Sequence, residues 1–243
     1  MKKFYFVGDS TTYGQDLSAI QRETVSYPAL VSKYHAAECV NDGIIGNANN
    51  LVISQVLQNI GKYDKIYILF TFTNRFTLYD PKNWYPVNFN ELLTSSNYQN
   101  IDYYKNFGRY YYGFWSSPLF EFKDFLEQIV MLQATLEQKN QSYLMWFGSS
   151  TIWTKLICEK KDFINNLSTL IDITKFDDHQ ILQQWSEIQH LYNQIDLKNL
   201  MSPLDFEGID SVLRQFPVGP TGHTLEEGHR CIADNILKFE QHI

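Results

Sequence analysis

Cysteine is scarce in these 243 residues: Cys39, Cys158 and Cys231 are the only three. Their number is odd, their spacing is wide and no CxxC pair occurs, so neither a disulfide framework nor a zinc site is expected. Cys39 and Cys231 stand among apolar neighbours and read as small core residues, a usage that suits a reducing compartment. Basic residues are also outnumbered, 20 Lys and Arg against 27 Asp and Glu, for a net charge of −7. The longest basic cluster is Lys160-Lys161, flanked by Glu159 and Asp162. No nucleic-acid-binding face is therefore expected. Long hydrophobic runs are missing too, so no membrane span is expected. The apolar run Phe4-Tyr5-Phe6-Val7 is too short for a secretory leader. A cytoplasmic protein without a membrane partner is the expectation. Gly8-Asp9-Ser10-Thr11-Thr12 lacks the second glycine and the lysine of a phosphate loop, which argues against a nucleotide-binding or receiver domain. No metal or cofactor is expected.

What the chain has is apolar and aromatic material. Apolar residues make up 44% and aromatics 16%, with 16 Tyr and 17 Phe. That composition is globular, and the length suits one α/β domain over residues 1–243 with an insertion. The tyrosines serve either core and surface or an aromatic binding face, where a ring packs while its hydroxyl stays wet. Phe4 to Val7 reads as a strand buried on both faces. Tyr27 to Tyr34 reads as a helix with Pro28 in its first turn, Glu38 to Asn41 as a short strand, and Leu51 to Ile60 as a helix closed by Gly61. Lys65 to Phe72 is the strongest strand, β-branched and aromatic, and is expected to be central. Residues 76–118 are rich in Tyr, Asn, Phe and Trp without a sustained period, and read as an irregular insertion, a candidate lid or substrate-binding region. Leu119 to Lys139 returns to helical spacing and Ser142 to Phe147 is another buried strand. Residues 151–200 look helical and polar, clearest over Ile181 to Leu191. Ser202 to Gly222 reads as irregular, and Thr224 to Phe239 as a final helix. This alternation predicts a three-layer α/β/α fold around a central parallel sheet. Ligands of such sheets bind at the carboxyl ends of strands, where Ser10, Asn74 and the loop after Cys39 fall.

A serine hydroxyl becomes a nucleophile only with a base in hydrogen-bond reach and donors for the oxyanion formed on attack. Ser10 follows a strand and opens a glycine-containing turn; on its own it reads as a helix N-cap. Gly46 is placed to bring a backbone N–H close to an oxyanion, or is a simple turn glycine. Asn74 is either an amide donor to the same oxygen or a turn residue. His223, just before the last helix, is either the base or a surface histidine.

Together, in this order, these blocks resemble the SGNH hydrolases, also called GDSL-type esterases and lipases, whose fold is flavodoxin-like. Gly8-Asp9-Ser10 is similar to the first block of that family, Gly46 to the second, Asn74 to the third and His223, followed by Gly228-His229, to the last. The resemblance implies Ser10 as nucleophile, His223 as base, and the Ser10 N–H, Gly46 and Asn74 as the oxyanion hole. Two positions depart from the pattern. The third block usually reads Gly-x-Asn-Asp, whereas here it is Phe72-Thr73-Asn74-Arg75. Arg75 either recognises an anionic substrate group or pairs with a nearby Asp as a structural bridge. The last block usually carries Asp three residues before the histidine, and Pro220 stands there instead. The role of orienting His223 then falls to a backbone carbonyl in a Ser-His dyad, or to a displaced acid among Asp205, Glu207 and Asp210; the third option is a weak or inactive site. His229 is expected to pack or cap. The expected function is a serine ester hydrolase acting on a small-molecule or glycan ester. The aromatic insertion favours a carbohydrate O-acetyl ester, because aromatic faces stack on sugar rings. The alternative is a binding or interaction module on a retained fold.

Overall fold

The computed structural model of the chain describes residues 1–73, 75–79, 84–87, 117–148, 151–201, 212 and 214–242. The first half runs β1 (Lys3–Val7), α1 (Ser10–Tyr13), α2 (Ala19–Thr24), α3 (Tyr27–Tyr34), β2 (Glu38–Asn41), α4 (Asn49–Asn59), β3 (Lys65–Phe70), β4 (Phe76–Tyr79) and β5 (Trp84–Val87). The second half runs α5 (Pro118–Gln138), β6 (Tyr143–Phe147), α6 (Thr151–Leu156), α7 (Lys160–Ser168), α8 (Asp178–Tyr192) and α9 (Glu226–Glu240).

Four strands form one parallel sheet in the order β2-β1-β3-β6. Its strands read as unbroken apolar runs because both faces are covered. Successive side chains alternate between two cores. Tyr5, Val7, Ile66, Ile68, Phe70, Met145 and Phe147 meet Val52, Phe122, Phe125, Trp153 and Ile188 from α4, α5, α6 and α8 on one face. Phe4, Phe6, Tyr67, Leu69, Leu144 and Trp146 meet Tyr27, Val31, Ile232 and Ile236 from α3 and α9 on the other. Burying a side chain of this size contributes roughly 1.5–3 kcal/mol, so the sheet and its two helical layers hold one another in place. The architecture is the three-layer α/β/α arrangement around a parallel sheet that the element order predicts, with β3 in the interior.

The departures are local. β3 ends at Phe70, not Phe72, because the Asn49 side chain takes both backbone groups of Thr71, accepting from its N–H at 2.8 Å and donating to its carbonyl at 3.3 Å. α2 has no counterpart in the sequence reading, although Ser18 and Gln21 cap it reciprocally. Within 76–118, β4 and β5 pair antiparallel, so this part is regular; most of the rest of the insertion, and Ser202–Asp210 of the irregular stretch, lie outside the described residues. Cys39 is exposed rather than in the core, because among the described residues β2 pairs only with β1 and forms the edge of the sheet. Among the described residues no helix is long and apolar enough to cross a membrane, and no cluster of His, Cys, Asp and Glu is arranged to hold a metal ion.

Candidate active site

The turn after β1 is built by its aspartate. Asp9 is the N-cap of α1, its side chain accepting from the Thr11 N–H at 2.9 Å. Ser10 is therefore the first helical residue and not the cap. It is 5% exposed, at the carboxyl end of a strand with neighbours on both sides. Asp9 also anchors Arg75, whose Nη1 lies 3.6 Å from Asp9 Oδ2 and donates to Thr71 Oγ1 at 2.8 Å. The same guanidinium sits over the Phe72 ring, 4.9 Å from its centroid. Arg75 is thus a bridge between the first and third strand ends, the structural alternative of the two its sequence position offers.

The loop after β2 hangs on the same turn. Ile44 N–H and the Asn47 side-chain amide both donate to the Gly8 carbonyl, at 3.1 and 3.0 Å. Asn47 is fully buried and its amide also reaches Gln55 Oε1 at 3.0 Å. Gly46, between these two anchors, has φ 73°, the left-handed region that favours glycine. Asn74 lies outside the described residues; the segment before it is fixed by the Asn49–Thr71 pair.

His223 arrives from a tight loop at the other end of the chain. Val218 and Thr224 form an antiparallel bridge. Gly219 N–H donates to the His223 carbonyl at 2.8 Å, and Gly222 N–H to the Gly219 carbonyl at 3.0 Å. Residues 219–222 are therefore a β-turn with Pro220 at its second position, where its fixed φ is favoured. From this turn the His223 ring reaches the serine: its Nε2 lies 2.7 Å from Ser10 Oγ, across 213 residues of sequence.

Behind the ring stands a pair of residues absent from the sequence reading. Nδ1 of His223 is 2.9 Å from Thr221 Oγ1 and 4.0 Å from Asp16 Oδ2. Asp16 Oδ2 also accepts from the backbone N–H groups of Thr221 and His223, at 3.0 and 3.2 Å. Burial pushes the Asp16 carboxyl upward, but the Thr221 hydroxyl, the two N–H groups and the nearby imidazole outweigh it and hold the carboxyl below the ordinary range. Asp205, Glu207 and Asp210 lie outside the described residues. The partner found at Nδ1 is a side-chain hydroxyl, in place of the backbone carbonyl expected for a dyad.

His229 does not join the site. Its Nδ1 accepts from Tyr27 N–H at 3.3 Å and its ring stacks on Tyr27 at 6.0 Å. Burial, with a smaller push from His223, lowers its pKa to about 4. It is a neutral core histidine, and the Tyr27 beneath it hydrogen-bonds Thr12 of α1 at 2.6 Å.

No family model matches the chain, and no curated protein matches it. Solved structures do show likeness along nearly its whole length. One is a protein from Desulfitobacterium hafniense DCB-2 described as lipolytic and of the G-D-S-L family, at 11% identity, covering 98% of this chain and 99% of that one, with a TM-score of 0.46. Another is a mutant acetyl-xylooligosaccharide esterase from Geobacillus, at 13% identity, 98% and 93% coverage and a TM-score of 0.46. A third is the psychrotrophic esterase EstA from Pseudoalteromonas, at 11% identity, 99% and 97% coverage and a TM-score of 0.45. The chain's own residues bring together a serine, its imidazole and a carboxylate behind the ring.

Proposed function

We propose that this chain is a serine ester hydrolase, with Ser10 as nucleophile and His223 as general base. The observation that carries the reading is the 2.7 Å contact between Ser10 Oγ and His223 Nε2, made at the carboxyl end of β1. Ser10 Oγ attacks the acyl carbonyl while its proton passes to His223 Nε2. The oxyanion so formed is held by the N–H groups of Ser10 and Gly46 and the side-chain amide of Asn74. Losing one such donor typically costs roughly 10²–10³ in rate. His223 then returns the proton to the departing alcohol, and a water activated by the same ring hydrolyses the acyl-serine.

The substrate is a small-molecule or glycan ester. The finer reading, a carbohydrate O-acetyl ester, rests on the aromatic sequence of 76–118, including Trp84, Tyr103, Tyr104, Tyr110, Tyr111, Tyr112 and Trp115. Purified protein is expected to hydrolyse short acyl esters and to label with a fluorophosphonate probe at Ser10, and Ser10→Ala to lose both. Absence of turnover and of labelling in the wild type would leave the binding-module reading standing. Acetate release from acetylated oligosaccharides no faster than from simple esters would remove the carbohydrate reading alone.

A further inference from the structure

The sequence around His223 has no acid where one would be expected, and the fold brings one from elsewhere. Asp16 belongs to the loop between α1 and α2, six positions after the serine and 207 residues before His223. Three features of this loop are unusual for an ordinary surface aspartate. Its backbone takes φ 70°, the left-handed region in which a non-glycine residue is uncommon. Its side chain is only 7% exposed. Its carboxylate lies flat against Gly219: a Cβ built there would meet Asp16 Cβ at 2.5 Å and Cγ and Oδ2 at 2.7 Å. The chain thus accepts backbone strain and spends a glycine to set one carboxylate against the histidine loop.

We infer that Asp16 is the acid of this site and acts on His223 through the Thr221 hydroxyl, a Ser10–His223–Thr221–Asp16 relay in which Asp16 and Thr221 are positioning residues. The inference rests on the assignment of Ser10 and His223 as nucleophile and base. For Nε2 to take the serine proton, Nδ1 must carry the other ring proton. Its acceptor is Thr221 Oγ1 at 2.9 Å. A hydroxyl that accepts there has its own proton free, and in the relay it turns that proton toward the Asp16 carboxylate, whose Oδ2 already accepts from the Thr221 N–H at 3.0 Å and lies 4.0 Å from Nδ1. The carboxylate therefore sets the direction of the hydroxyl, and the hydroxyl sets the tautomer and tilt of the ring. When Ser10 attacks, its proton moves to Nε2 and the ring becomes imidazolium. Nothing moves beyond the ring: Nδ1 keeps its proton, Thr221 keeps its own, and Asp16 stays ionised, facing the new charge from 4.0 Å. The two backbone N–H groups that Asp16 also accepts fix the loop on which the ring stands.

A structural role alone, holding the 219–223 turn, predicts different behaviour, and two variants separate the cases. Asp16→Asn keeps the shape and an acceptor for the backbone N–H groups but removes the charge. Thr221→Val removes only the hydroxyl and leaves the Asp16 backbone bonds intact. Each is expected to lower kcat by roughly 10²-fold with KM little changed. That is below the roughly 10⁴-fold loss when an acid bonded directly to the histidine is neutralised, because a hydroxyl is interposed here. Thr221→Ser, which restores the hydroxyl, should recover most of the rate lost in Thr221→Val. If Asp16→Asn does not fold, the Thr221 pair decides alone. The relay is overturned if the wild type labels at Ser10 and turns over p-nitrophenyl acetate, while Thr221→Val and every folded Asp16→Asn preparation keep kcat within about twofold of it. If the wild type itself neither labels nor turns over, the hydrolase assignment fails first and the relay falls with it.

Discussion

Among the groups that make this protein less stable at low pH, His229 acts over a window set by its own environment. The ring is 1% exposed, in the first turns of α9, stacked on Tyr27. Burial holds its pKa at about 4 in the folded chain against 6.5 in an open one. Between those values the unfolded chain binds a proton that the folded chain refuses. By linkage, stability rises with pH across the window: the full contribution is present above pH 6.5 and is lost as the pH falls toward 4. For these two pKa values the lost stability is about 1 kcal/mol at pH 6, about 2 at pH 5 and about 3 at pH 4. Against a typical total of roughly 5–15 kcal/mol, this is enough to shift an unfolding midpoint visibly.

The assay is urea unfolding at a series of pH values, on wild type and on His229→Gln, which keeps a neutral polar side chain near the Tyr27 N–H. Carboxylates such as Asp16 and Glu240, both held below their ordinary range, titrate in both proteins and cancel in the difference. The variant should be less stable at neutral pH, and the gap should close by about 2–3 kcal/mol on going from pH 7 to pH 4, with unchanged urea dependence. A gap that stays level to within about 0.5 kcal/mol over that range would refute the reasoning. It would mean that the ring is protonated in the folded state, or that the α3–α9 contact opens to water well above pH 4.

Two other substitutions probe contacts that no single element makes alone. Gly219→Ala puts a methyl group where the Asp16 side chain lies, 2.5 Å from its Cβ; overpacking of this kind costs about 1–3 kcal/mol, and displacement of the carboxylate should lower kcat more than it raises KM in steady-state ester hydrolysis. Glu240, at the end of α9, binds Lys65 Nζ at 2.5 Å, Tyr67 OH at 2.8 Å and His35 Nε2 at 2.9 Å. Glu240→Ala leaves three polar groups of β3 and the α3 C-cap without their acceptor and should cost about 2–4 kcal/mol in thermal or urea unfolding, while kcat of the folded protein is unchanged.

The sheet could be read from the sequence because its strands are short, continuous apolar runs, a pattern that a doubly covered parallel strand requires and little else of that length produces. The α3 and β2 boundaries came out as read for a similar reason: Pro28 marks the first turn of one, and the other is isolated between turn residues. Where the reading slipped, a side chain distant in sequence had intervened. Thr71 and Phe72 have every local property of strand residues, yet Asn49 occupies the backbone of Thr71 and the ladder stops before it. Cys39 has apolar neighbours in sequence, but among the described residues β2 is the edge strand of the sheet, and a position on the sheet edge cannot be seen from a window of neighbours. The sequence reading offered Ser10 as the cap of α1, but Asp9 before it is an equally good cap; the extended backbone at Asp9 makes it the cap and leaves the serine hydroxyl free for His223.

The acid was the hardest part to read, and the reason is physical. A search along the chain looks for an acid near the histidine, and Pro220 there counts as a loss. In the folded chain Pro220 holds the second position of a β-turn, and this turn presents Thr221 and His223 side by side to a carboxylate from the opposite terminus. A proline that fixes φ suits that turn better than an aspartate would. The cues that do exist in sequence are weak ones: an acidic residue six positions after the serine, in a stretch beginning at Gly14, and a Gly-Pro-Thr-Gly run before the histidine. Neither is specific until the two loops meet. Their meeting also gives a sharper requirement than an acid at a fixed spacing. Asp16, Gly219 and Thr221 must be compatible together, since the carboxylate needs the missing Cβ to approach and the hydroxyl to reach the ring. Exchanging Pro220 for aspartate should therefore not restore activity to Asp16→Asn, because position 220 belongs to the turn that Asp16 supports, and the new acid would have to unmake that turn to reach Nδ1. Recovery of kcat to within about tenfold of wild type in that double variant would show that the site tolerates an acid from either direction, and that the turn is not what selects Asp16.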